Sequence, residues 1–276
     1  MLERIQNTER HIFSSFGEKI DQGDYIVTRS PEHPKWYQAN MIELRVHAGR
    51  VLADWEAVFR EYFDQATYKH LMLYIPNAAN FEVLYEELNA IMASGSQGTQ
   101  ALVVEQVTWM FATKTGDYAS IPDGFEVRRV ETENDYRDLI EFGIEESREE
   151  PWYTTDADTR SYLESRRGIL ERVGVRWYRL CKSGDRQILA RLGMFEHAGI
   201  CRLQSVGTLK SHRRLGLSSA LVGFAIGEAL RQGAAGLSLS AKTDTIAHSM
   251  YTKVGFHSVG SDLWVMRFPL KQTQAN

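Results

Sequence analysis

The sequence predicts an α/β protein in which a mixed sheet carries helices on its faces, divided into two domains, 1–117 and 118–276. Three observations carry this prediction. Strand and helix patterns alternate along the whole chain, a run of three strands forms a meander in the second half, and the stretch between Lys114 and Gly124, TGDYASIPDG, has two glycines and a proline but no apolar periodicity. A length of 276 residues lies between one and two domains at roughly 150 residues each.

The elements follow in order. Leu2, Ile5, Ile12, Phe13 and Phe16 share one helical face, so an amphipathic helix opens the chain and Gly23 ends it. Tyr25 to Thr28 is a short strand, Ser30 to Pro34 a turn, and Ala39 to Val46 a second strand. A helix over Leu52 to Phe63 places Trp55, Val58, Phe59 and Tyr62 on one stripe. Strand His70 to Ile75 stops at Pro76. Helix Ala79 to Met92, a Ser94 to Gly98 turn and strand Leu102 to Phe111 follow. After the linker come strand Phe125 to Val130, a helix capped by Thr132 and running to Arg148, a loop with Pro151, Trp152 and Tyr153, and a helix from Ala157 to Val173. The meander is Val175 to Leu180, Gln187 to Phe195 and Ile200 to Leu209, with turns at Ser183 to Asp185 and His197 to Gly199. A basic loop leads into a helix ending near Gly233. Strand Gly236 to Ser240, helix Asp244 to Val254 and strands Phe256 to Gly260 and Leu263 to Phe268 complete the pattern.

Composition excludes several classes. With 43% hydrophobic and 25% charged residues the chain is that of an ordinary globular protein, and neither disorder nor a coiled coil fits. Cys181 and Cys201 are too few for a disulfide framework or a four-cysteine metal site, and they imply a reducing compartment, the cytoplasm. The start, MLERIQNTERHIF, lacks the apolar run of roughly 7–15 residues that a secretory signal needs. Leu215 to Leu237, the most apolar stretch, is broken by Glu228, Arg231 and Gln232, so no membrane span is expected. The net charge of −4 divides into −6 over residues 1–120 (10 Lys and Arg, 16 Asp and Glu) and +2 over 121–276 (22 and 20). Neither half is a nucleic-acid footprint, and the acidic half favours a cationic partner.

The chemistry concentrates where the last meander strand turns into a helix, Leu209-Lys210-Ser211-His212-Arg213-Arg214-Leu215-Gly216-Leu217-Ser218-Ser219. The first N–H groups of a helix lack partners and carry about half a positive charge, so they attract anions. Gly216, Ser218 and Ser219 leave the backbone open to a phosphate, and Lys210, His212, Arg213 and Arg214 add positive potential. A solvated turn with surface arginines has the same pattern.

Two motifs together make the chain resemble the GNAT family, the GCN5-related N-acetyltransferases. The family's pyrophosphate loop, Q/R-x-x-G-x-G/A after a strand with V-x-V/T, is similar to Arg213-Arg214-Leu215-Gly216-Leu217-Ser218 after Val206-Gly207-Thr208, with Ser218 where Gly or Ala is usual. The family's Asn-x-x-Ala-x-x-x-Tyr helix followed by Gly-Phe is similar to Asp244 through Ala247 to Tyr251 and then Gly255-Phe256, with Asp244 replacing Asn. The resemblance covers about residues 124–270 and implies the acyl-CoA N-acyltransferase fold. Residues 1–117 resemble a degenerate GNAT-like half without an anion loop, in which Leu84-Tyr85 echoes Met250-Tyr251.

What the resemblance implies is acetyl-CoA as cosubstrate and direct transfer of its acetyl group to a primary amine, in a ternary complex. The cosubstrate would be held by Val206, Gly207, Thr208, Arg213, Arg214, Leu215, Gly216, Leu217, Ser218, Ser219, Asp244 and Tyr251. The sheet would splay between the strand ending at Leu209 and that from Gly236, and an N–H near Val206 or Gly207 would meet the developing oxyanion. Tyr251 is either the general acid or a core aromatic of its helix. Glu145 and Glu146 are the candidate bases; Glu196 and His197 are further ones, and all four also fit a solvated surface. His248 and Cys201 are expected to pack or face solvent, Trp152 and Tyr153 to shape the acceptor pocket, and no metal motif is present. The acceptor is a small-molecule or peptide amine, and the protein a monomer or homodimer. A catalytically silent acyl-CoA-binding or protein-interaction module with the same fold is the rival reading.

Overall fold

The computed structural model describes residues 1–34, 36–46, 49–77, 82–93, 100–114, 120–149 and 155–269. The expected boundary at 117/118, Trp152 and Tyr153 lie outside the described residues, as does the side chain of Tyr85. The chain forms two compact units, and neither is continuous in sequence. One comprises Met1–Ile12 and Trp109–Val259; the other comprises Phe13–Thr108 and the chain from Gly260 onward.

The unit containing Phe13–Thr108 holds strands β1 (Glu18–Asp21), β2 (Tyr25–Arg29), β3 (Met41–Leu44) and β4 (Leu71–Ile75), and helices α2 (Leu52–Tyr62) and α3 (Glu82–Ala93). Strands β1, β2 and β3 pair antiparallel, α2 crosses over, and β4 returns parallel to β3 with Ile42 opposite Leu73. On its far side β4 pairs antiparallel with the last strand of the chain, β11 (His257–Pro269), Leu73 facing Val265. Trp55 and Phe59 of α2 are fully buried against Val27, Ile42, Leu73 and Leu263. The α2 helix starts where the Val51 N–H donates to the Asp54 carboxylate at 3.0 Å.

Strand β1 is a difference from the sequence expectation of one helix running to Gly23. Helix α1 (Leu2–Ser14) stops because Gly17 comes against the Arg29 carbonyl, whose carbon would lie 2.8 Å from any Cβ at 17. The chain instead reverses at Gly23 (φ +81°) and pairs Glu18 with Arg29.

The other unit holds β6 (Phe125–Arg129), α4 (Glu133–Ser147), α5 (Asp156–Arg172), β7 (Arg176–Lys182), β8 (Ala190–His197), β9 (Ile200–Thr208), α6 (Leu217–Arg231), β10 (Leu237–Lys242) and α7 (Ile246–Val254). Strands β7 to β9 are the expected antiparallel meander, β6 pairs antiparallel with β7, and β10 lies parallel to β9 after the α6 crossover. Thr132 caps α4 by accepting from the Asp135 N–H while the Asp135 carboxylate accepts from the Thr132 N–H. Leu217, Leu221, Val222 and Ile226 of α6 are buried, each worth roughly 1.5–3 kcal/mol when removed from water. The neighbour of β10 on its open side is β5 (Gln100–Ala112), the final strand of the first half. Its Trp109 and Phe111 are buried with Ile5 of α1 and Ile200 of β9. Glu9 of α1 forms an ion pair with the buried Arg202 of β9, whose guanidinium also lies 4.8 Å from the Trp109 ring centroid.

The last strand of each half therefore crosses into the other unit in part: Trp109–Ala112 of β5 belong with β10, and Gly260–Pro269 of β11 with β4. A cut at a linker keeps sequence neighbours together, whereas compactness follows the strand pairing. The two expected final strands, Phe256 to Gly260 and Leu263 to Phe268, are one strand, because the backbone stays extended through Gly260 and Ser261.

Candidate functional site

The site is set by a defect in β9. Its pairing with β8 runs from His197–Ile200 to Gly193–Gln204, then resumes one residue out of step at Arg191–Gly207. Ser205 absorbs the extra residue in a left-handed conformation, φ 49°. On the opposite edge, β9 registers with β10 only at Cys201–Leu237 and Arg202–Ser238. Among the described residues Leu203 to Thr208 thus have no β10 partner in the register, and this is the stretch at which the resemblance implies a splay.

Beyond β9 the chain makes a single 3-10 turn, Lys210–His212, then passes through Arg214 (φ 66°) and Gly216 (φ 76°) into α6. Gly216 is the N-cap and offers no side chain; the first helical bond is Ala220 N–H to Gly216 carbonyl, 2.9 Å. The N–H groups of Leu217, Ser218 and Ser219 precede that bond and point out of the helix end. Ser218 shares a hydrogen bond with the Thr208 hydroxyl, so the serine in place of Gly or Ala ties the start of α6 to the end of β9. Arg213 donates to the Thr208 carbonyl at 3.2 Å and pairs with Glu149 at 2.8 Å, whereas Arg214 and Leu215 are exposed.

Glu146 and Glu145 are adjacent on α4 but differ in environment. Glu145 is exposed. Glu146 reaches over β9, its carboxylate against Gly207 so closely that any Cβ there would lie 2.8 Å from its Cδ. Its Oε2 accepts from Arg191 at 2.7 Å. Arg191 is buried, 4.9 Å above the Phe142 ring and 5.7 Å from that of Trp177, and burial lowers its pKa against the opposing pull of Glu146. Sequence reasoning missed Arg191; the signal was one arginine inside the otherwise apolar Ile188-Leu189-Ala190-Arg191-Leu192 run.

Tyr251 of α7 is buried at 7% exposure, its ring edge-on to Phe256, and burial pushes its phenol up to about 12. The α7 cap is Thr245, which accepts from the His248 N–H at 3.2 Å, and not Asp244. Asp244 instead is exposed at φ 58°, a left-handed position that Asp and Asn tolerate best among side chains with a Cβ. The remaining candidates have structural partners. Glu196 accepts from the Gly199 N–H at 2.5 Å in the β8–β9 turn, and His197 stacks on His11 at 4.2 Å. Cys181 and Cys201 are buried with their thiols pushed up by burial, which disfavours a reactive thiolate. His248 keeps a buried Nε2 without a partner. Among the described residues no His, Cys, Asp and Glu cluster suits a metal ion, and no helix is long and apolar enough to cross a membrane.

Residues 183–265 match the model of the family described as FR47-like protein. No curated protein sequence matches the chain. Among solved structures it is similar to a functionally unknown conserved protein from Staphylococcus epidermidis ATCC 12228, with TM-score 0.65 and 14% identity over 91% of this chain and 94% of the other. It is similar also to a GCN5-related N-acetyltransferase from Kribbella flavida, with TM-score 0.62 and 16% identity over 96% and 95% of the two chains. A third, a GCN5-related N-acetyltransferase from Sphaerobacter thermophilus, has TM-score 0.55 and 17% identity over 90% and 81%. At such identities the likeness is one of fold. The chain has the GCN5-related N-acetyltransferase fold, and its segment 183–265 carries the FR47-like signature.

Proposed function

We propose that the protein is an acetyl-CoA-dependent N-acetyltransferase, active in the cytoplasm, whose catalytic domain is 118–276 and whose first half, 1–117, is a GNAT-like domain without a cosubstrate site. The observation that carries this reading is the turn from β9 into α6. An uncapped helix end, two left-handed residues and a serine clamp lie next to the stretch of β9 that has no β10 partner. This donor set suits a pyrophosphate, and the free edge of β9 suits the amide groups of a pantetheine arm.

Acetyl-CoA, when bound, supplies the thioester. The chain's own groups would do the rest. Gly216, Leu217, Ser218 and Ser219 offer N–H donors to phosphate, with Arg213 and Arg214 as flanking cations and Leu215 and Asp244 at the rim. Val206, Gly207 and Thr208 offer backbone groups to the arm, and an N–H at Val206 or Gly207 would donate to charge developing on the carbonyl oxygen. The amine of a small-molecule or peptide acceptor forms the new N–C bond as the C–S bond breaks. Its proton leaves toward Glu146, or toward Glu145 through solvent, and Tyr251 would return one to the sulfur. A phenol at about 12 is fully protonated at neutral pH and ready to donate. Its mismatch with a thiol of ~8.5 is about 3.5 units, roughly 5 kcal/mol in water, and the same burial would raise the leaving thiolate as well.

The test is titration calorimetry with acetyl-CoA, CoA and NAD, followed by Gly216→Val. Micromolar, CoA-selective binding that Gly216→Val abolishes is expected, since a β-branched residue at φ 76° is strained and its side chain covers the helix end. Unchanged affinity in Gly216→Val would overturn the assignment.

A further inference from the structure

Arg213, in the turn from β9 into α6, is already engaged. Its Nε donates to the Thr208 carbonyl at 3.2 Å and its Nη1 to the Glu149 carboxylate at 2.8 Å. A guanidinium grips a carboxylate or phosphate through paired donors, either Nε with Nη2 or Nη1 with Nη2. One member of each pair is therefore bonded before any other anion arrives. The two bonds differ in kind. The Thr208 carbonyl belongs to the backbone at the end of β9 and is held by the strand. Glu149 lies two residues past the end of α4, where its N–H donates to the Glu146 carbonyl at 3.3 Å. Its side chain is 30% exposed, against 47% for Arg213, so water can take over the carboxylate if it lets go. A carboxylate at the negative end of a helix does nothing for that helix. Among the described residues its ion-pair partner is Arg213, so the pair, and not a helix cap, accounts for Glu149.

We propose that Glu149 is an internal competitor of the cosubstrate's phosphates: it holds Arg213 while the site is empty, yields it to a phosphate of acetyl-CoA, and retakes it as CoA departs. The inference rests on the acetyltransferase reading for the identity of the incoming anion. A phosphate on Nη2 beside a retained Glu149 would set two anions against one guanidinium, and like charges so close repel. Exchange of one anion for the other keeps Arg213 paired throughout. The cosubstrate thus gains less affinity from Arg213 than an unpaired arginine would give it, and the bond that Glu149 re-forms offsets part of what CoA loses on leaving. The pair is in this sense a device for product release, a step that limits turnover in many enzymes.

The experiment measures CoA binding to the full-length wild type, Glu149→Gln, Arg213→Gln and the double variant by calorimetry, and CoA association and dissociation rates by stopped flow. Glu149→Gln is expected to tighten CoA by about two- to fivefold, the range that a partly exposed ion pair covers, and to slow dissociation by the same factor. Arg213→Gln should weaken CoA, and adding Glu149→Gln to it should change neither affinity nor dissociation. A purely structural pair predicts the opposite sign, because its loss loosens the turn, so CoA affinity that is unchanged or weaker in Glu149→Gln overturns the proposal. Equal tightening with and without Arg213, or tightening carried by the association rate, overturns it as well, since either is the effect of removing a negative charge from the neighbourhood. In all these cases CoA still binds and the acetyltransferase reading stands. Absence of CoA binding in all four proteins would refute that reading and the proposal with it.

Discussion

Gly207→Ala tests the arrangement at the free edge of β9 by adding one methyl group. Gly207 has no left-handed φ, so the backbone accepts alanine without strain, and strand propensity by itself favours the change. The cost comes from across the gap: the new Cβ would lie 2.8 Å from Glu146 Cδ and 3.1 Å from its Oε2, so the carboxylate must retreat from Arg191, to which it is bonded at 2.7 Å. Breaking a fully buried pair costs roughly 3–5 kcal/mol, because the remaining charge is uncompensated. Arg191 is 9% exposed and Glu146 26%, so part of the loss is recovered from water and about 2 kcal/mol is expected. That corresponds to a fall in Tm of about 4–8 °C for a unit of this size. The assay is thermal unfolding of Gly207→Ala, Glu146→Ala and the double variant. If the reasoning holds, alanine at 207 costs nothing once Glu146 is gone, a coupling of about 2 kcal/mol. An equal cost in both backgrounds refutes it.

Tyr251→Phe should lower turnover while leaving acetyl-CoA affinity near normal. Because its folded pKa is raised, wild type should also lose roughly 2–3 kcal/mol relative to the variant as pH rises from the unfolded value near 10 to about 12, followed by urea denaturation. His70, 1% exposed, is held to about 4 by burial, with its Nε2 bonded to the Asn40 carbonyl at 3.0 Å. A histidine kept neutral in the fold contributes stability above 6.5 and loses it as pH falls toward 4, so wild type should lose about 3 kcal/mol relative to His70→Gln over that window, and the variant's stability should depend less on acid. A fragment beginning at residue 118 should fail to fold, since it lacks Trp109 to Ala112 and the residues of α1 that cover Ile200; circular dichroism and proteolysis decide this.

The parts of the site formed by neighbours in sequence were legible. Gly216 after a basic run marks a helix end, Thr132 is a helix cap, and three apolar runs with Gly turns make the meander. What escaped depends on partners far apart. Glu146 and Arg191 meet from positions 45 apart, and nothing in Gln204-Ser205-Val206 announces a left-handed serine, because the bulge is a property of pairing with β8. Strand β1 escaped for a related reason: Glu18 to Asp21 is largely exposed, so no apolar alternation marks it, and only the approach of Gly17 to Arg29 makes the hairpin possible.

The exchange of final strands has a consequence for how the protein is made. While the chain emerges from a ribosome, β4 waits with an open edge until β11 follows, nearly 190 residues after it, as the Tyr74 to Asp262 hydrogen bond illustrates. The sheet of the first half therefore cannot close until β11 has been made, although nearly all of its residues were made first. An unpaired apolar strand of that kind invites pairing with other chains, so the yield of native protein should depend on elongation rate and on chaperones that mask strand edges. A gene rearrangement that moved either half alone would carry away a sheet with one strand missing, so the two halves are bound to be inherited as a pair.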